Sequence, residues 1–336
     1  MFERPDSQSL RLGGALAALI LCFPASAFAY KRSVNTGGLC TWWSTRGHSF
    51  QIDAQGTPDV PGLAAFTAIR KSLLTWSQVT CSDLSFPDLG LSQNPKDRVV
   101  GYFPGQFNRN LILFRTKRCG AVVPAGDPCH SAGGCGNAYD CWDENVHGDG
   151  VIATTTTTSN RFTGQINDAD IELNDSVAAD GTKITFTAVD GPPCTSPNQT
   201  GCVDVDVQNT VTHESGHSIG LDHSTDPNAT MYATAPEGEV SKRVLGADDI
   251  QAVCDIYPKG ARTVTCADDP IALTESASTN GGGCGCTHAQ TGPGAALGMV
   301  LLLLQMSRRS SRKPQLAMSA SSAPPSSSLR GSDMRS

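Results

Sequence analysis

Between His213 and His223 three histidines follow a pattern that a single continuous helix cannot gather. His213 and His217 are four residues apart, so on an α-helix both imidazoles project from one face with Glu214 beside them. Six further residues at about 100° each would carry His223 roughly 120° around the axis and about 9 Å along it, away from the other two. The helix must therefore stop first. Gly220 is placed to stop it, because glycine enters the left-handed conformation that ends helices, after which the chain can fold back. Three imidazoles brought together in this way suit a tetrahedral Zn²⁺ with its fourth position open, which is the arrangement of catalytic sites. A plain amphipathic helix with solvated histidines would not explain why three of the chain's seven histidines crowd into this stretch.

The spacing His213-Glu214-x-x-His217-x-x-Gly220-x-x-His223, followed by Asn228-Ala229-Thr230-Met231-Tyr232, resembles the metzincin metalloproteases. Ser224, after the third histidine, makes it most similar to the matrixin branch. The resemblance covers roughly residues 40–258 and implies an α+β, zincin-like fold: a twisted mixed sheet of about five strands, an antiparallel edge strand and three helices. It also implies a secreted endopeptidase acting on protein or peptide substrates. His213, His217 and His223 would bind one catalytic Zn²⁺, and Glu214 would serve as general base for a zinc-activated water. Met231 would form an apolar floor beneath the imidazoles, and Tyr232 with residues 233–241 would line the primed-side specificity pocket. The alternative is a surface adhesin that keeps zinc without turnover. A purely structural site would be closed by four ligands and has little use for Glu214.

In the run Asp168-Ala169-Asp170-Ile171-Glu172-Leu173-Asn174, Ile171 and Leu173 fall on one face and Asp170, Glu172 and Asn174 on the other, as in a strand. It reads as the antiparallel edge strand. By the resemblance an extended substrate pairs with that edge, making Asp170, Ile171, Glu172 and Leu173 candidate peptide-binding residues. Leu63, Phe66, Ile69, Leu73, Leu74 and Trp76 recur at helical spacing after Pro61, predicting a helix with one buried face. Residues 48–52, 99–103 and 111–114 read as strands. Asp206 is placed to cap the histidine-bearing helix, whose Val207, Val211 and Ile219 face inward. Residues 245–258, with Ile250, Val253 and Tyr257 apolar and Pro258 as the stop, read as a closing helix.

The formal charge of −7 offers no basic surface, so nucleic acid is not an expected partner. Residues 1–29 have the form of a signal peptide: Arg4 and Arg11, an apolar run over 12–23, and Ala27-Phe28-Ala29 before a cut at Tyr30. The catalytic domain then spans 30–258. Export leads Cys40, Cys81, Cys119, Cys129, Cys135, Cys141, Cys194, Cys202, Cys254 and Cys266 to be read as disulfide partners. The connectivity stays open, with Cys194–Cys202 and Cys254–Cys266 as plausible short loops.

The Gly- and Cys-rich stretch 119–150 reads as a disulfide-tied insertion. Arg118-Cys119-Gly120 resembles the zinc-silencing cysteine of matrixin propeptides, but it lies inside the domain, where it would not serve that role. His147-Gly148-Asp149 resembles the start of a structural zinc site, yet no further histidine occurs before His213 to complete it. Asp149, Asn167, Asp168, Asp170, Asn174 and Asp175 are candidate oxygen ligands for Ca²⁺. Residues 259–283 read as a linker. In 284–312, Cys284-Gly285-Cys286, an apolar run and Arg308, Arg309 and Arg312 resemble the C-terminal sorting signals of myxobacteria. A Ser-rich tail, 313–336, follows. Together these predict an exported monomer, extracellular or associated with the cell surface or outer membrane, with transient membrane association through the C-terminal segment.

Overall fold

The computed structural model describes residues 29–265, Asn198 excepted, and 316–322. The expected signal segment and the expected sorting segment 284–312 lie outside the described residues. In chain order the elements are β1 (Lys31–Arg32), β2 (Phe50–Asp53), α1 (Ala64–Ser77), β3 (Asp88–Ser92) and β4 (Asn110–Arg115). Four short helices follow: α2 (Cys119–Val122), α3 (Cys129–Ala132), α4 (Cys135–Tyr139) and α5 (Glu144–His147). Then come β5 (Val151–Ser159), β6 (Ile166–Asn174), β7 (Phe186–Thr187), β8 (Val205–Asp206) and α6 (Val207–Ser218). The last are β9 (Leu221–Asp222), β10 (Thr234–Ala235), α7 (Ala247–Ile256) and β11 (Leu316–Ser322).

Five strands in the order β3-β2-β4-β6-β5 make a mixed sheet, which β11 and then β10 extend beyond β5. β2, β3, β4 and β6 run parallel and β5 alone of the five is antiparallel to its neighbour. Every residue of β4 is buried, as expected of a central parallel strand covered on both faces. α1 packs against α6, and Phe66, Ile69, Leu73 and Trp76 join Val207, Val211 and Ile219 in one core.

Several expectations need correction. β6 is not an edge: its main chain pairs with β4 on one side and β5 on the other, and Asp170, Ile171, Glu172 and Leu173 are all buried. The antiparallel strand is β5, whose run of five threonines, Thr154 to Thr158, carries the β-branched signal of a strand. Leu63 and Leu74 are 69% and 52% exposed, because Leu63 precedes the first helical turn and Leu74 is rotated about 100° off the stripe that Leu73 occupies. Ile250 likewise faces solvent on α7. Residues 99–103 form no strand, and Gly101 instead gives its N–H to the Asp170 carboxylate.

Cys194–Cys202 is bonded, as the short loop suggested. Cys254 is bonded not to Cys266 but to Cys81, tying the segment after α1 to α7. This bridge spans 173 residues, and so long a closure removes far more freedom from the unfolded chain than a local loop would. Cys119–Cys141 and Cys129–Cys135 brace the insertion, and Cys40 is also disulfide-bonded. Arg115, fully buried, pairs with Glu172 and Asp140, and Arg98 with Asp53 and Asp140, so Glu172 of β6 and Asp140 of the insertion each face a guanidinium.

Candidate active site

Asp206 starts α6 by accepting a hydrogen bond from Asn209 N at 2.7 Å, and Arg243 holds the same carboxylate through Nε at 2.8 Å. The helix ends at Ile219, and Gly220 takes φ +88°. A Cβ at Gly220 would lie 2.4 Å from the Thr41 carbonyl oxygen, so both conformation and space demand glycine. The turn brings His223 back to His213 and His217, and the three residues place their ligand atoms within 4.8 Å of one another. Among the described residues this is the one cluster of three or more His, Cys, Asp or Glu side chains able to share a metal.

Second contacts orient the rings. His213 Nδ1 lies 2.6 Å from the Thr230 carbonyl and His217 Nδ1 2.8 Å from the Leu221 carbonyl, which fixes protons on Nδ1 and leaves each Nε2 a free lone pair. The Nε2 atoms of His213, His217 and His223 have no hydrogen-bond partner among the described residues. Burial lowers the pKa of all three histidines, that of His217 to about 3, so the rings are neutral and able to ligate. Three buried, uncharged, converging imidazole nitrogens fit Zn²⁺.

Glu214 is fully buried on the same helix. Its Oε2 accepts a hydrogen bond from Thr155 Oγ1 of β5 at 2.6 Å, while Oε1 has no partner among the described residues. Desolvation raises its pKa to about 8, opposed by Thr155 and by the charge of Lys242. A cation at the histidine nitrogens would favour the ionised form, so this carboxylate is set to exchange a proton near neutral pH.

Met231 is buried beneath the helix, and a Cβ added to Gly216 would meet its sulfur at 2.2 Å, so helix and turn are in close contact. Asp249 of α7 holds this turn by accepting from Thr230 N at 2.6 Å and Met231 N at 3.0 Å. The Thr230 carbonyl in turn holds His213, so α7 orients that imidazole through one peptide unit. Lys242 donates to the carbonyls of Tyr232 and, at 3.0 Å, Thr234, fixing the segment after the turn. Tyr232 is half-buried there. Residues flanking the site are anchored too: Ser224 Oγ donates to Asp248, whose other oxygen accepts from Ala29 N and Tyr30 N.

The geometry gathers His213, His217 and His223, with Glu214 on the same helix and Met231 packed against Gly216; Tyr232 follows Met231 in the chain, and Asp170, Ile171, Glu172 and Leu173 lie on β6, between β4 and β5. Thr155, Lys242 and Asp249 belong to the site and were not singled out by sequence. The Asp248-Asp249 pair at the start of α7 carried the available signal, since acidic residues at a helix N-terminus are common capping groups.

Residues 142–258 match the matrixin family model. Human matrilysin is 48% identical over 48 residues, covering 14% of this chain and 18% of that protein. Macrophage metalloelastase of Oryctolagus cuniculus is 44% identical over 45 residues, 13% of this chain and 10% of the relative. Interstitial collagenase of Aquarana catesbeiana is 34% identical over 80 residues, 23% of this chain and 20% of the relative. The chain thus spans a fifth or less of each of these relatives' length. The chain is matrixin-like, and the matched segment contains every residue of the histidine cluster.

Of the Ca²⁺ candidates, Asp149 pairs with Arg118, Asp170 accepts from the main chain at Leu111 and Gly101, Asn174 donates to the Asp149 and Val151 carbonyls, and Asp175 pairs with Lys183. Cys119, being disulfide-bonded, has no thiol to offer a metal.

Proposed function

We propose that this chain is an exported zinc-dependent endopeptidase that hydrolyses peptide bonds in protein substrates. The observation that carries the reading is the convergence of three partnerless Nε2 atoms beside a buried Glu214 whose Oε1 is free. His213, His217 and His223 would hold the metal. Zn²⁺ there would supply Lewis-acid polarisation of the scissile carbonyl and acidification of water. Glu214 takes the proton from the attacking water and returns it to the departing amine, and Thr155 holds the carboxylate in the required rotamer. Met231 and Asp249 keep the ligand set rigid.

The substrate-pairing strand in this reading is β5, since β6 has no main-chain groups to spare. An extended peptide lying between β5 and the 232–235 segment would add a strand to the sheet, with Tyr232 beside the pocket that chooses its side chain. The test is hydrolysis of casein or a quenched peptide library by the purified chain before and after chelation. Loss with chelator and recovery with Zn²⁺ is the expected result. Bound zinc with no hydrolysis under any condition would favour the adhesin reading, and no bound zinc would overturn both.

A further inference from the structure

The segment Leu316–Ser322 lies where an extended peptide would have to lie. β11 runs parallel to β5, with Ala317 opposite Val151 and Ser322 opposite Thr157, and antiparallel to β10. It therefore fills the slot between the sheet and the segment after the Met231 turn. Met318 N donates to the Ala233 carbonyl at 3.2 Å. The Met318 side chain is only 2% exposed and sits among Ile152, Asn209, Thr210, Ala235 and Pro236. Ala320 is opposite Thr155, the residue that holds Glu214, so the strand passes over both halves of the site.

We propose that this C-terminal strand is a built-in blocker of the peptide cleft, competing with substrate for β5 and for the Met318 pocket. The proposal rests on the peptidase reading. Three physical points support it. The strand satisfies main-chain groups of an otherwise open sheet edge and buries an apolar side chain, which are the two means by which strand addition gains affinity. Because it is part of the same chain, it competes at an effective concentration that dilution does not lower. Residues 266–315 join it to the domain, so a cut anywhere in them would turn the blocker into a free peptide that dilutes away.

The test uses the full chain, loaded with zinc, alongside Met318→Asp and Met318→Pro. The aspartate variant would bury a carboxylate beside Asp204, Asp206 and Glu239, and the proline variant loses the donor to Ala233. Two quantities are read: amide exchange over residues 151–159, and kcat and KM on a quenched peptide. The expected result is faster exchange at β5 in both variants and a KM lower by about tenfold, as when an occluded fraction of about nine-tenths is released, with kcat unchanged. Equal exchange and equal KM in all three proteins would overturn the blocker, as would Glu214-dependent cutting of the wild-type chain within 316–322. Faster exchange in the variants with no hydrolysis by any form would refute the peptidase reading and the inhibitory role with it.

Discussion

Thr155 Oγ1 donates to Glu214 Oε2 at 2.6 Å, so a strand of the sheet sets the position of the carboxylate on the helix. Glu214 is otherwise surrounded by core, and a lost donor would leave it free to rotate away from the histidines. Thr155→Val should lower kcat by about tenfold, the equivalent of roughly 1.4 kcal/mol, with zinc content unchanged. Thr155→Ser should restore most of it. Steady-state kinetics beside metal analysis checks this, and equal rates for Val and Thr would remove Thr155 from the account.

Gly220 is where helix geometry ends and the third histidine becomes reachable. Gly220→Ala combines a left-handed conformation costing about 1–2 kcal/mol with a clash against the Thr41 carbonyl. The variant should melt earlier and bind zinc more weakly, because relieving the clash displaces His223. Thermal unfolding with and without chelator separates the two effects.

Asp249 satisfies the N–H groups of Thr230, Met231 and Gly246 from inside the core. Removing it in Asp249→Ala strands two buried donors and one part-buried donor and should destabilise the fold by about 2–4 kcal/mol. Because Thr230 orients His213, zinc affinity should fall by about 10–100-fold as well. Urea unfolding and competitive chelation measure the pair, and a change in stability with no change in zinc affinity would confine Asp249 to packing.

His48 is enclosed by Trp43, Phe86 and Tyr257, and burial, with the nearby Arg46 charge, lowers its pKa from 6.5 to about 3. A depressed histidine pKa means the unfolded chain binds the extra proton first. Its contribution to stability is full above pH 6.5 and is lost as the pH falls toward 3, at up to about 1.4 kcal/mol per pH unit. His48→Phe should flatten that part of the acid profile relative to wild type. Denaturant unfolding in chelator at pH 7 and pH 5 tests it.

The histidine cluster was legible because its geometry is local: two histidines one helical turn apart, and a glycine whose φ can reverse the chain before the third. The helices α1 and α7 were readable from periodicity, though Leu63, Leu74 and Ile250 show that an apolar residue beside the stripe is not on it. Strand order was not legible. Ile166–Asn174 alternates in sequence as an edge strand would, yet it lies inside the sheet, where Arg115 neutralises Glu172 and the main chain satisfies Asp170. Those partners come from distant segments, as does Cys81 for Cys254, and local pattern carries no record of them. Thr155 and Asp249 were missed for the same reason: each acts through one hydrogen bond made only after folding.

The most direct test of the central claim compares Glu214→Ala with the unchanged residue, both in the full chain and in the Met318→Asp chain, after loading with zinc. The account predicts equimolar zinc in every form and a loss of kcat/KM on a quenched peptide of about 10²–10⁴-fold wherever Glu214 is replaced. Equal rates with and without Glu214, or hydrolysis that persists once zinc is removed, would contradict it.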